Sequence, residues 1–142
     1  MLEEIIAHLT NGPGFPLGDA RNAPREPGLY SIEEGEKLIY VGLGGNLRKR
    51  LGRHRNLNPR SSMFAYRYML DSVGQLEEQC PTSRKNLLRQ EFKMQNSSLR
   101  STLAPHVAKL KVRVAPLQKG LLRPMERDVI CKLKPKFNRC ET

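Results

Sequence analysis

Six side chains in this sequence carry groups that enzymes use for proton transfer and for holding anions and cations. Two tyrosine hydroxyls and an imidazole can exchange protons, and a guanidinium matches the oxygens of a phosphate. A carboxylate can hold a hard divalent cation, and an amide can orient its neighbours by hydrogen bonding. If the fold brings them together, they could hydrolyse a phosphodiester bond. The six are Tyr30, Tyr40, Arg50, His54, Glu126 and Asn138.

The two tyrosines lie in a segment that is predicted to form a β-hairpin. Residues 28–30 open one apolar run and residues 38–42 form the next, with turn residues between them. Side chains alternate along a strand, so the tyrosines share a face only if the pairing register sums to an even number. A three-residue loop, 34–36, would place Tyr30 directly opposite Tyr40, and we predict that register. A two-residue loop would send one tyrosine to each face.

A basic helix is predicted directly after the hairpin. Two glycines end the second strand, and Asn46 can cap a helix. Leu47, Leu51 and His54 follow at positions i, i+4 and i+7 of one stripe. Arg50 lies on the same stripe, so Arg50 and His54 are both expected to point toward the sheet. The alternative for His54 is a histidine that only packs against the two leucines.

The chain ends in a second helix that carries the carboxylate. Pro124 suits the first turn of this helix. Glu126 lies on the flank of its apolar stripe, whereas Asp128 points away. A carboxylate held against the core is costly unless a cation satisfies it, which favours Glu126 as a metal ligand. The alternative is a glutamate that stabilises the helix dipole. The apolar stripe consists of Met125, Val129, Ile130 and Leu133.

These residues and their spacing resemble the GIY-YIG nuclease family. The tripeptides Gly28-Leu29-Tyr30 and Tyr40-Val41-Gly42 are similar to the two that name the family. An arginine follows the second tyrosine by ten residues, a histidine comes one helical turn later, and the C-terminal glutamate precedes an asparagine by twelve residues. These four are Arg50, His54, Glu126 and Asn138. The resemblance covers residues 27–57 and 106–139.

The resemblance implies both a fold and an activity. The expected fold is α/β (α+β), with a small central three-stranded antiparallel sheet flanked by helices. The implied activity is that of a divalent-metal-dependent DNA endonuclease, in which Tyr30 or Tyr40 acts as general base on the attacking water. A single Mg²⁺ or Mn²⁺ would bind Glu126, and the tyrosine would need a pKa below its usual value of about 10.

Three positions depart from the family pattern. Leu29 and Val41 replace isoleucines, which is a conservative change. Leu43 stands where relatives often carry a polar or basic residue. A proton-transfer role at that position would therefore fall to His54 or to a nearby lysine.

The charge of the chain is large and unevenly distributed. The net charge is +11, and residues 1–36 carry 7 acidic and 2 basic side chains whereas residues 37–142 carry 7 and 23. Such a field attracts a polyanion, which makes DNA the expected partner. The cations predicted to contact the DNA backbone are Arg48, Lys49, Arg53, Arg55, Lys109, Lys111 and Arg113. A solvated basic surface with no partner is the alternative.

The chain is predicted to form one domain over residues 1–142. Residues 1–26 are predicted to form an irregular N-terminal lead-in. It begins with a short helix over residues 2–9 and continues with a segment rich in proline and glycine. Residues 106–116 alternate in polarity and are predicted to form the third strand, with three cations on its outer face.

Residues 58–105 are predicted to be a helical insertion that serves packing, target recognition or self-association. Ser61 or Ser62 would cap its first helix. Tyr66 and Tyr68 could stack on bases, although aromatic residues at helical spacing are more often core residues. The inward-facing positions are predicted to be Met63, Tyr66, Leu70 and Val73, and then, after a loop over residues 79–81, Leu87, Leu88, Glu91, Phe92 and Gln95.

Composition narrows the class of protein further. There is no apolar run of membrane-spanning length and the first residues are acidic, so a soluble cytoplasmic protein is expected. Three cysteines without CxxC spacing, Cys80, Cys131 and Cys140, argue against a disulfide framework and against a zinc site.

Two other functions remain compatible with the sequence. One is a nucleic-acid-binding module on the same fold without hydrolytic activity, and the other is a small basic RNA-binding protein. A nuclease with one active site would cut one strand at a time, so a double-strand break would need a homodimer, a protein partner or two encounters.

Overall fold

The computed structural model describes residues 1–76 and 85–139, which build a mixed α+β fold around an antiparallel sheet. Four strands make up the sheet in these residues: β1 (Phe15–Pro16), β2 (Gly28–Glu34), β3 (Lys37–Gly44) and β4 (Lys111–Pro116). Their order is β1-β4-β2-β3. The expected three-stranded antiparallel sheet is confirmed as β2, β3 and β4, and the two-residue β1 extends it beside β4.

Helices pack against the sheet on both faces. The α-helices of the described residues are α1 (Leu2–Asn11), α2 (Leu47–Arg55), α3 (Met63–Ser72), α4 (Lys85–Gln95), α5 (Leu99–Val107) and α6 (Leu122–Leu133). The predicted first helix, basic helix and last helix are thus confirmed. The third strand begins at Lys111 instead of residue 106, because α5 continues to Val107 and a turn follows it. Within the described ranges, no helix combines the length and the apolar composition that crossing a bilayer requires.

The hairpin places both tyrosines on one face by a different route from the one predicted. Its loop has two residues, with Gly35 in the left-handed region at φ +65°. A β-bulge next to Ile32 adds one residue to β3, so Tyr40 pairs with Ile32 and Tyr30 pairs with Gly42. The even register is therefore confirmed, whereas the three-residue loop and the direct pairing of the tyrosines are wrong. The ring centroids of Tyr30 and Tyr40 lie 6.2 Å apart.

The two faces of the sheet bury different parts of the chain. Tyr30 and Ile32 of β2 belong to a core shared with α2, α3 and the lead-in. Leu29 of β2 and Val41 of β3 belong to a second core shared with α1 and α6. Thus α2, which carries Arg50 and His54, packs on one face of the sheet. The other face packs against α6, which carries Glu126.

The lead-in is more ordered than its composition predicts. It contains β1 and a 3-10 helix, Leu17–Asn22. Leu17, Ala20 and Ala23 are fully buried in the core. Proline and glycine prevent long regular elements here, but the apolar residues between them still bury their side chains.

The buried side of α3 differs from the prediction. Ser62 caps the helix as expected, but Val73 is exposed, and Phe64 and Met69 are buried instead. Tyr66 and Tyr68 are also buried, which leaves neither ring available to stack on bases. The pattern misleads because α3 packs against the sheet on one side and against α4 on another, where the rings of Tyr66 and Phe92 meet at 5.6 Å.

The buried side of α4 also differs from the prediction. In α4, Glu91 and Gln95 are exposed instead of inward-facing, and the Leu87 side chain and the 79–81 loop lie outside the described residues.

Cys131 is disulfide-bonded, although the odd cysteine count predicted no disulfide framework. Cys80 and Cys140 lie outside the described residues.

Because Gly42 has no side chain, the Tyr30 hydroxyl can occupy the space beside its backbone. A Cβ at residue 42 would overlap Tyr30 Oη, so we expect Gly42→Ala to lower the free energy of unfolding by roughly 1–3 kcal/mol. Gly52 in α2 is the matched control, because a Cβ there meets nothing within 4 Å. Gly52→Ala should leave stability unchanged or raise it by up to about 1 kcal/mol. Urea denaturation followed by circular dichroism measures both; equal stability of Gly42→Ala and wild type would contradict this packing.

Candidate active site

A cavity of about 800 Å³ opens where α2, α3 and α6 meet the β3 side of the sheet. It is lined by five of the six predicted site residues: Tyr30, Tyr40, Arg50, Glu126 and Asn138. The sixth, His54, lies behind Tyr30 in the core. The fold therefore brings the N-terminal and C-terminal groups into one place.

Tyr30 is linked to α2 and α3 through a chain of short hydrogen bonds. Its Oη lies 2.5 Å from His54 Nε2, and His54 Nδ1 lies 2.6 Å from Ser62 Oγ. Ser62 Oγ also accepts a hydrogen bond from the Ala65 N–H at 2.9 Å, which caps α3. Tyr30, His54 and Ser62 are each at most 1% exposed. The Tyr30 ring is consequently fixed against His54, and Tyr30 also lines the cavity.

His54 is held neutral by its surroundings. Burial lowers the pKa of His54 to about 3, and the positive charges of Arg50 and Arg53 add to this effect. A neutral imidazole has one nitrogen that donates and one that accepts a hydrogen bond. His54 therefore contributes directed hydrogen bonds to the site rather than a positive charge.

Both tyrosine hydroxyls are protonated at neutral pH. Burial raises the pKa of Tyr30 well above its ordinary value, with a further increase from Tyr40 and a decrease from Arg50. Burial also raises the pKa of Tyr40, which Arg67 counteracts most strongly. The Glu126 carboxylate raises both values. A proton-accepting tyrosine thus needs positive charge in the cavity beyond what the protein supplies.

α6 presents Glu126 to the cavity and Asp128 to solvent, as the helical spacing predicts. Leu122, Val129 and Ile130 bury one side of the helix, and Glu126 is half-buried at its flank. Within residues 1–76 and 85–139, no group of three or more His, Cys, Asp or Glu side chains could enclose a metal ion. Mg²⁺ keeps several waters and binds substrate phosphate, so one carboxylate, that of Glu126, can be its protein ligand in this open cavity.

Asn138 joins the C-terminal segment to the outer edge of β3. Its Oδ1 accepts a hydrogen bond from the Val41 N–H at 2.8 Å, and its Nδ2 donates to the Val41 carbonyl at 2.9 Å. The Phe137 N–H donates to the Ile39 carbonyl at 2.9 Å. The Asn138 amide thereby satisfies the edge strand as a peptide group would. Its contribution to the site is positional.

Four arginines that the sequence analysis did not select also line the cavity: Arg67, Arg123, Arg127 and Arg139. Helical spacing could have identified Arg123, because it precedes Glu126 by three residues and so lies on the same face of α6. Arg67 could be placed only by the tertiary structure, in which its guanidinium donates to the Phe137 carbonyl. With Arg50, these residues bring five guanidiniums to the cavity that Glu126 also lines.

The cations predicted to contact DNA lie elsewhere on the described surface, and none of them lines this cavity. Arg48 donates to the Ala23 carbonyl at 2.8 Å. Arg113 is ion-paired with Glu33 and donates to the Gly12 carbonyl at 2.8 Å, so both serve the fold. The exposed ones are Lys49, Arg53, Arg55, Lys109 and Lys111.

No protein-family model and no curated protein matches this chain. Two solved structures are similar to it, and both are the GIY-YIG N-terminal endonuclease domain of UvrC from Thermotoga maritima, each a point mutant bound to its catalytic divalent cation. One is 17% identical, with 85% of this chain and 91% of that chain covered and a TM-score of 0.45. The other is 19% identical over the same shares, with a TM-score of 0.42. The function is therefore inferred from the residues of the cavity.

The lowered pKa of His54 makes stability depend on pH. The unfolded chain binds a proton near pH 6.5 and the folded protein near pH 3, so the unfolded chain holds more protons between these values. Stability should therefore fall on acidification, by about 2 kcal/mol between pH 6.5 and pH 5 from this residue. Urea denaturation at the two pH values should show a smaller loss for His54→Gln than for wild type. His8→Gln, at an exposed histidine, is the matched control substitution; the same loss on acidification in His54→Gln as in wild type would contradict a buried neutral His54.

Proposed function

We propose that this chain is a divalent-metal-dependent endonuclease that hydrolyses phosphodiester bonds in DNA. The observation that supports this most strongly is the composition of the cavity. One carboxylate, two tyrosine hydroxyls and five guanidiniums converge there from β2, β3, α2, α3, α6 and the C-terminal segment. The resemblance of the sequence to the GIY-YIG nuclease family predicts four of these residues, Tyr30, Tyr40, Arg50 and Glu126.

The arginines bind and orient the scissile phosphate. Arg50 is half-buried, which limits its exposure to competing water and strengthens its attraction for a phosphate oxygen. A planar guanidinium can engage two phosphate oxygens at once, which fixes the direction from which water attacks. Arg67 lies on the α3 side of the cavity and is held by the Phe137 carbonyl. Arg50 and Arg67 are therefore the proposed phosphate contacts.

Glu126 is the residue proposed to hold the cation, Mg²⁺ or Mn²⁺. When bound, such a cation withdraws charge from the phosphate and lowers the pKa of nearby acidic groups. Its charge would also offset the negative charge of Glu126, which raises the pKa of both tyrosines. The single carboxylate thus connects cation binding with the readiness of a tyrosine to accept a proton.

Tyr30 is the proposed proton acceptor for the attacking water. Of the two tyrosines, Tyr30 has the hydrogen bond to His54, at 2.5 Å, that fixes its hydroxyl. Tyr40 is only half-buried and faces the same cavity, where it can donate a hydrogen bond to a phosphate oxygen. The two hydroxyls would then have separate tasks.

A nucleic-acid-binding module without hydrolytic activity is the second candidate. The observation that favours it is the raised pKa of Tyr30 and Tyr40, since neither hydroxyl gives up its proton readily. Such a module would use the five guanidiniums for phosphate contacts alone.

Replacing the carboxylate separates the two candidates. Glu126→Gln should reduce plasmid cleavage in the presence of Mg²⁺ by roughly 10²–10³-fold, because the charge that holds the cation is lost. DNA binding, measured by a gel shift, should persist. Asp128→Asn is the matched control, since Asp128 is an exposed carboxylate on the same helix, and it should cleave as wild type does. If neither wild type nor Glu126→Gln cleaves while both bind, the binding module is correct and the nuclease is wrong.

The arginines of the cavity should carry more of the DNA affinity than the cations on β4 and the turn before it. Arg123→Ala/Arg127→Ala should lower the slope of log affinity against log salt by up to about 1.8, or about 0.9 for each phosphate that the protein no longer neutralises. Lys109→Ala/Lys111→Ala removes the same charge from another part of the surface and is the control. All four residues are exposed, so little loss of stability is expected. A larger slope change for the lysine pair would place the DNA on β4 instead.

A further inference from the structure

The Ser62 hydroxyl makes two hydrogen bonds, one to the backbone of α3 and one to His54. The side chain is fully buried at the start of α3. Its Oγ accepts a hydrogen bond from the Ala65 N–H at 2.9 Å and lies 2.6 Å from His54 Nδ1. A cap requires only the first contact. The second contact connects the helix cap to the cavity through Tyr30.

Among the described residues, the Ser62 hydroxyl has one acceptor to which it can donate a hydrogen bond. The Ala65 N–H is itself a donor, so it cannot accept that proton. Among the hydrogen bonds formed within the described residues, the remaining partner of Ser62 Oγ is His54 Nδ1. If Nδ1 carried a proton and donated it to Ser62, the serine hydroxyl would be a buried donor without an acceptor, which native proteins rarely contain.

We propose that Ser62 is a positioning residue that holds His54 in the tautomer protonated at Nε2. Ser62 donates to Nδ1, so the proton of the neutral imidazole resides on Nε2 and is donated to Tyr30 Oη, 2.5 Å away. Because Tyr30 Oη accepts this bond, its own proton turns away from His54. Tyr30 lines the cavity, and the proton therefore points to where substrate and water would lie.

In the proposed hydrolysis, on which this inference rests, His54 donates a hydrogen bond to the phenolate form of Tyr30. Tyr30 releases its proton to water in the cavity, and the resulting phenolate keeps the hydrogen bond from His54 Nε2–H. The phenolate then takes one proton from the attacking water as the new P–O bond forms. The bond to the leaving oxygen breaks, and that oxygen takes a proton from solvent. His54 acts throughout as a hydrogen-bond donor, and no proton has to reside on Nδ1.

The opposite tautomer would have a different outcome. With the proton on Nδ1, the lone pair of Nε2 would accept the Tyr30 proton and hold it inside the core. The phenol would then face the cavity with its oxygen but without its proton. Ser62 is thus expected to favour phenolate formation through the direction of one hydrogen bond.

Nitrogen NMR of the imidazole tests this directly and needs neither metal nor DNA. In the full chain with ¹⁵N-labelled histidine, the unprotonated ring nitrogen resonates well downfield of the protonated one. The chain has three histidines, so the His54 signals can be assigned by comparison with His8→Gln and His106→Gln. Wild type should show an unprotonated Nδ1 and a protonated Nε2, and Ser62→Ala should shift the population toward protonated Nδ1. A wild-type spectrum with protonated Nδ1 would overturn the proposal.

Three substitutions separate this effect from helix capping. Ser62→Thr keeps the hydroxyl, Ser62→Gly loses it but remains a good cap, and Ser62→Ala loses both functions. We expect Thr to stay within about threefold of the wild-type kcat and Gly and Ala to lose roughly 10–100-fold each, as for other residues that orient a reacting group, with KM unchanged. Wild-type kcat in Ser62→Gly would reduce Ser62 to a cap and overturn the proposal. If wild type itself does not cleave, the nuclease function fails, and the NMR result alone decides the tautomer.

Discussion

One extra residue in β3 determines whether the two tyrosines can act together. With the two-residue loop of this hairpin and no bulge, Tyr30 and Tyr40 would lie on opposite faces of the sheet. The bulge next to Ile32 shifts the register by one, and both rings face the same core, 6.2 Å apart between centroids. Gly42 then accommodates the Tyr30 hydroxyl because it lacks a Cβ. The cavity, its hydrogen bonds and the proposed chemistry all depend on this register.

Hydrogen bonds along the edge of β3 join the segment after α6 to the hairpin that carries the two tyrosines. Tyr40 lies on this strand, and the segment after α6 pairs with it through the Asn138 amide and the Phe137 N–H. These hydrogen bonds fix the segment that follows α6, the helix that carries Glu126, 96 residues after Tyr30 in sequence. The same bonds satisfy an edge strand that would otherwise be open to another chain.

The sequence predicted which residues line the cavity better than it predicted how the surrounding elements pack. Residue types and spacing that resemble the GIY-YIG family pattern identified the tyrosines, Arg50 and Glu126 as a group, and helical and strand periodicity predicted which way their side chains point. They did not reveal the bulge, since one inserted residue leaves the hydrophobic pattern of the strand almost unchanged. They also did not reveal Arg67 at the cavity or the ion pair that occupies Arg113 with Glu33. Those outcomes depend on which elements pack together, and charge alone does not distinguish a phosphate contact from a structural one.

We expect a cation held by Glu126 to lie beside the hydroxyls of Tyr30 and Tyr40. Paramagnetic broadening by Mn²⁺ tests it most directly, because the chain has four tyrosines whose ring signals can be observed by NMR. As Mn²⁺ is added, the Tyr30 and Tyr40 rings should broaden before those of Tyr66 and Tyr68, and Glu126→Gln should remove this selectivity. Equal broadening of all four rings, or selective broadening that persists in Glu126→Gln, would contradict the claim.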